Sequence, residues 1–156
     1  MDFNLMSLIS TIGLAPKQDN KTAVASMGED VAMKNKIMTE VAKVLAAEGA
    51  SEGEAGMRAI ASTIMNRMAG TNKNALDIVS QKNQYYGYTA ENKDKLYKQV
   101  KDTADKIARD LVEGKLKDNT GGAKYFLLPK EKVRSWHGDK TVNIGKHTFY
   151  KEAKKK

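Results

Sequence analysis

At 156 residues, 40% hydrophobic and 29% charged, the chain is long enough to bury the core of one compact domain and too short for two. Cysteine is absent, which excludes a disulfide framework and a thiolate zinc site, and only His137 and His147 offer imidazole, so neither metal nor cofactor is expected. A formal charge of +8 implies attraction to polyanions, but the basic residues form no arginine-rich stripe, which argues against specific nucleic-acid recognition and leaves peripheral contact with an anionic wall or membrane surface.

Aromatic residues are scarce at 6% while Ala, Met and Lys are plentiful, a balance that favours helices over a sandwich or barrel. The opening "MDFNLMSLISTIGLAP" carries Asp2 where a secretory leader has basic residues, and its apolar run is too short to span a membrane, so neither a signal peptide nor an anchor is expected. Residues 17 to 30, "KQDNKTAVASMGED", are small and polar without sustained periodicity. They predict that residues 1–30 form an arm or linker and that the domain runs from about Val31 to residue 152, followed by a basic tail at 153–156.

From Lys34 onward Ile37, Val41, Val44 and Leu45 recur at i, i+4, i+7 and i+8, an amphipathic helix whose stripe continues onto Glu48 and stops at Gly49. A second helix is predicted from Glu54 to Met68, with Met57, Ile60, Ala61, Ile64 and Met68 inward. "NALDIVS" reads as a short helix and "QKNQYYGYT" as a tyrosine-rich loop. Thr89 is placed to cap a long helix reaching Glu113, with Leu96, Val100, Ala104, Ile107 and Leu111 as its stripe. Beyond "DNTGGA", the segments "KYFLLP" and "TVNIGKHTFY" are aromatic or β-branched and predict extended loops or a small β element.

Three glutamates, Glu48, Glu52 and Glu54, cluster at the first helix junction. Glu52 and Glu54 read as turn and helix-start charges. Glu48 differs, because it extends an apolar stripe at the negative end of a helix dipole, where desolvation and the dipole both disfavour the anion. A carboxyl kept protonated near neutral pH can donate to a leaving oxygen, as glycosidic cleavage requires. Periodicity alone favours a junction glutamate that turns to water or pairs with Lys or Arg. Gln84, Tyr86 and Tyr125 can line a saccharide groove or simply pack their loops. Trp136 reads as the anchor of a satellite core, and His147 as a residue whose backbone hydrogen bond holds the terminal segment against the core, on one face with Phe149.

"LAAEGASEGEAGMRAIASTIMNR", residues 45 to 67, resembles the opening motif of the cell-wall hydrolase family typified by spore cortex-lytic enzymes: Ala47-Glu48 at a helix end, Glu52, Gly56, then a helix closing on Asn66-Arg67. "SQKNQYYGY", "DNTGGAKYF" and "IGKHTFY" resemble the family's later motifs, in the same order. The resemblance implies a mainly α (α+β), lysozyme-like or lytic-transglycosylase-like single domain with a small extended or β element near the C-terminus. It implies a monomer that cleaves peptidoglycan between N-acetylmuramic acid and N-acetylglucosamine, with Glu48 as the catalytic acid and Glu52 as an assisting carboxylate. By the same resemblance Gln84, Tyr86 and Tyr125 bind substrate and His147 supports the site. Tyr85-Tyr86 stands where the family often has Phe-Ser, a departure in the sugar-contacting loop. Size and the lack of a leader suit a bacteriophage lysin or virion protein acting at the wall of a host cell. A murein endopeptidase on the same fold, and a non-enzymatic basic wall- or nucleic-acid-binding virion protein, are the alternatives.

Overall fold

A computed structural model describes the backbone of residues 17–155 and the side chains of residues 27–155. The chain divides into two compact units, the first ending at Asn35 and the second comprising Lys36–Lys156. Helix α1 is Lys17–Gly49, so residues 17–30 are helical where the sequence predicts an arm without regular structure. A helix can form without an apolar periodicity in its sequence, and farther along α1 Met27, Val31 and Met33 are exposed. Residues 1–16 of the predicted arm lie outside the described residues.

Within the second unit α1 buries Ile37, Val41, Val44 and Leu45, the stripe read from the sequence. A 3-10 turn, Ala50–Glu52, leads into α2, Gly53–Met68. Helix α2 lies at the centre of the core and buries Met57, Ala59, Ile60, Ala61 and Ile64, its alanines letting neighbouring elements approach closely. Helix α3, Ala75–Val79, starts at a capping box in which Asn74 and Asp77 satisfy each other's backbone N–H groups at 2.9 Å.

A second 3-10 turn, Tyr86–Tyr88, precedes α4, Lys93–Val112. Thr89 does not cap α4: it ends the 3-10 turn, its backbone N–H bonded to Tyr86, and Asn92 occupies the cap position. The α4 stripe splits at Val100, where the backbone leaves helical geometry. Ala104, Ile107 and Leu111 are buried, and Leu96 and Val100 only half so.

The C-terminal segments form a three-stranded antiparallel sheet of β1 (Tyr125–Leu127), β2 (His137–Ile144) and β3 (His147–Glu152), in the order β1-β3-β2. Phe149 on the central strand pairs with Phe126 on one side and Val142 on the other. It is 1% exposed, and ring contacts from Phe149 to Phe126 and from Phe126 to Tyr85 seat the sheet on the helical core.

The loop that delivers β1 is organised by Asp118. Its carboxylate accepts from the Thr120 N–H and hydroxyl, the Gly122 N–H and the Asn66 amide at 2.6 to 3.2 Å, while Asn66 also donates to the Ala123 carbonyl at 2.8 Å. Burial pushes the Asp118 pKa up, but these hydrogen bonds outweigh it and hold it below the ordinary aspartate value. A depressed folded-state pKa adds stability that is fully present above the ordinary aspartate value and disappears as pH falls through the depressed one. Asp118→Ala therefore lowers stability by about 1 kcal/mol near neutral pH, the solvent-exposed position keeping the effect small. In urea denaturation the gap between wild type and variant closes as the medium is acidified below that range.

Candidate active site

A groove of about 1020 Å³ opens between the end of α1, the loop around the second 3-10 turn, β1 with its following loop, and the β2–β3 hairpin. Glu48 lines it, carried there by the last turn of α1. Its Oε1 accepts the Gly87 N–H at 2.6 Å. Burial raises the Glu48 pKa above the ordinary glutamate range; the Gly87 hydrogen bond and the charge of His147 oppose that rise, and Glu131 across the groove adds to it. Proton retention at this carboxyl is the property a general acid needs.

Gly87 is a site residue that sequence reasoning missed. A Cβ at this position would stand 3.0 Å from Ala47 Cβ and Glu48 Cγ and 3.1 Å from the carboxylate oxygen, so a side chain here would crowd the approach of the loop backbone to Glu48. The Gly between two tyrosines in "YYGYT" was the available signal.

Glu52 is placed differently. Its Oε2 accepts the Lys146 N–H in a short hydrogen bond, and its Oε1 accepts from His147 Nδ1 at 2.6 Å. The two side chains are only 4% and 7% exposed, so this clamp ties the junction between α1 and α2 to the β2–β3 hairpin away from bulk water. His147 thus holds the terminal segment, as the sequence suggests, but through a carboxylate where a backbone partner was expected. Gly145 makes room for the clamp: it has φ of +60°, and a Cβ there would collide with the Glu52 carboxylate. Glu54 begins α2 and pairs with Arg58 at 3.2 Å.

The remaining sequence candidates come together on the same groove. Gln84, Tyr86 and Tyr125 all line it, with Tyr86 66% exposed. Asn83, with φ of 62°, turns the chain so that Tyr85 enters the core, where its hydroxyl meets Thr63 Oγ1 at 2.9 Å, and Tyr86 faces out. Arg67, the last residue of the Asn-Arg motif, links these parts. It donates to Gln84 Oε1 at 2.9 Å and to the Lys124 carbonyl at 2.6 Å, and its guanidinium lies over the rings of Tyr85 and Tyr125, 5.0 and 4.7 Å from their centroids.

Trp136 is not the anchor of a satellite core. It is 53% exposed and forms part of the groove wall beside His137, Leu128 and Glu131. His137 packs against the rings of Tyr125, Trp136 and Tyr150, and its Nδ1 accepts the Arg134 N–H at 2.7 Å. Burial lowers the His137 pKa, which leaves a neutral ring with its proton on Nε2. No group of three or more metal-ligating side chains occurs among the described residues.

Comparisons with known proteins follow this geometry. The model of a cell wall hydrolase family matches residues 51–150, which include Glu52, the tyrosine loop and His147 and begin just after Glu48. No curated protein matches the chain. Among solved structures the chain is similar to the catalytic domain of the germination-specific lytic transglycosylase SleB from Bacillus anthracis, with 26% identity, a TM-score of 0.56, and coverage of 73% of this chain and 93% of that one. The helical body, the small C-terminal sheet and the family match over residues 51–150 agree, and the chain belongs to the cell wall hydrolase family.

Proposed function

We propose that the protein degrades peptidoglycan by cleaving the bond between N-acetylmuramic acid and N-acetylglucosamine, with Glu48 as general acid and then general base. The observation that carries this reading is the largely buried Glu48 carboxyl, its pKa raised by that burial, on a groove of about 1020 Å³. Glu48 gives its proton to the glycosidic oxygen as the bond to the muramoyl C1 breaks, and the sugar's acetamido oxygen stabilises the positive charge left at C1. The Glu48 carboxylate then takes the proton of the muramoyl C6 hydroxyl while O6 closes on C1. A 1,6-anhydro end results, and Glu48 regains its proton.

One carboxyl performs both transfers in this scheme. An inverting hydrolysis needs a second carboxylate about 6.5 to 9.5 Å away to activate water. Glu52 is ill suited to that duty, because both its oxygens are engaged by Lys146 and His147. Glu131 lines the groove, but its Oε1 is held by the Leu128 N–H at 2.9 Å. We assign Glu52 to holding the hairpin wall, and Gln84, Tyr86 and Tyr125 to the saccharide, through amide and phenol hydrogen bonds and ring stacking. The setting we propose is passage of a bacteriophage through the wall of its host, which the lysine-rich, cysteine-free composition suits.

Glu48→Gln preserves shape and removes the proton. Its lysis of purified walls, followed by turbidity, falls by about 10² to 10⁴ relative to wild type with folding unchanged, and an undiminished rate refutes the assignment. A second expectation concerns pH. The acid must be protonated, so activity falls as pH rises through the raised Glu48 pKa; Glu131 contributes to that rise, so Glu131→Gln keeps cleavage and moves the alkaline limb of the profile to lower pH. Loss of cleavage in Glu131→Gln would instead identify a second catalytic carboxylate.

A further inference from the structure

Among the described residues, exposed lysines outside any ion pair occur over much of the surface, Lys73 and Lys140 among them, while the lysine and arginine pairs that do form lie away from the groove. Lys43, Arg58, Lys101, Lys115 and Lys124 each contact a carboxylate within 3.3 Å. Around the groove, Lys82, Lys132, Arg134 and Lys146 are exposed, and none of their side chains forms an ion pair among the described residues. They arrive from three separate segments: the loop after α3, the β1–β2 loop and the β2–β3 hairpin.

The acids on the groove are outnumbered: Glu48, Glu52 and Glu131 line it against these four cations and Arg67. Glu52 is consumed by the clamp, Glu131 accepts a backbone N–H, and Glu48 holds the Gly87 amide. The groups that act most on Glu48 are burial, Gly87, His147 and Glu131, and the four cations are not among them. A cleft rimmed by one sign of charge concentrates ligands of the opposite sign, and an arginine adds planar recognition of carboxylates. Leu128 and Trp136, 42% and 53% exposed, supply apolar surface between the cations.

The glycan itself is uncharged apart from its muramoyl substituent, so a cationic rim has no purpose toward bare sugar. We propose that Lys82, Lys132, Arg134 and Lys146 bind the carboxylates of the short acidic peptide carried on the muramoyl lactyl group, making peptide-substituted strands the preferred substrate. This rests on the glycosidase reading above and adds the substrate's peptide to it.

The test compares kcat/KM on three glycan preparations stripped of teichoic polymers: strands with free stem carboxylates, strands with those carboxylates amidated, and strands freed of peptide by an amidase and then amidated at the lactyl carboxyls this exposes. Four exposed charge contacts give wild type a preference of about tenfold for free carboxylates over either other substrate, and the preference shrinks at high ionic strength. In a Lys82→Gln, Lys132→Gln, Arg134→Gln, Lys146→Gln variant the ratio falls toward one. Equal cleavage of all three by wild type, or a preference insensitive to salt, overturns the proposal while leaving the glycosidase reading intact. A rate gain seen only when teichoic polymer is restored overturns it in favour of phosphodiester binding. Cleavage of none of the three strands refutes the glycosidase reading and the proposal with it.

Discussion

A carboxyl group drawn out of water at the end of a helix is costly unless it keeps its proton or finds donors, and the groove is arranged around that constraint. Glu48 reaches its position because α1 buries Ile37, Val41, Val44 and Leu45, and the same helical spacing carries the next turn to the groove. Of the described groups, the Gly87 amide donates to it, and the missing side chain at residue 87 leaves room for that approach. One donor is too little to offset burial, and the Glu48 pKa is raised. Burial of the hydrophobic stripe and the chemistry of the acid are therefore consequences of one packing arrangement.

The second carboxylate of the junction has the opposite environment. Glu52 is as well hidden from water, but the Lys146 amide and the His147 ring satisfy both its oxygens. Four residues apart in sequence, and separated by a 3-10 turn, the two glutamates thus divide the work. Glu48 is left with unspent chemical capacity, and Glu52 spends its own on fixing the hairpin wall that faces it. The Asp118 loop and Arg67 do the same for β1 and the tyrosine loop, so the groove has walls held by buried or stacked polar contacts on more than one side.

Much of this was legible in the chain. The helical stripes, the break at Gly49, the short α3 and the C-terminal strands follow from local periodicity and turn residues, and Glu48 stood out because a charge interrupted an apolar repeat. What local pattern does not carry is long-range pairing. Nothing near Glu52 in sequence points to His147 ninety-five positions away. Gly87 and Gly145 matter through backbone approach, which a sequence shows only as a small residue in a loop. Trp136 was misjudged because a lone tryptophan is usually buried, whereas here it forms a groove wall beside the His137 ring. The helical stretch at 17–30 was missed because helix formation was read from an apolar periodicity that this part of the sequence lacks.

The central claim is that a single carboxyl, Glu48, breaks a glycosidic bond by acting as acid and then as base. Mass spectrometry of the fragments released from purified peptidoglycan tests it most directly. The account predicts muropeptides ending in 1,6-anhydromuramic acid, with the stem peptides intact. Reducing muramic acid ends would contradict the single-carboxyl route, and new peptide termini on uncut glycan strands would contradict glycosidic cleavage altogether.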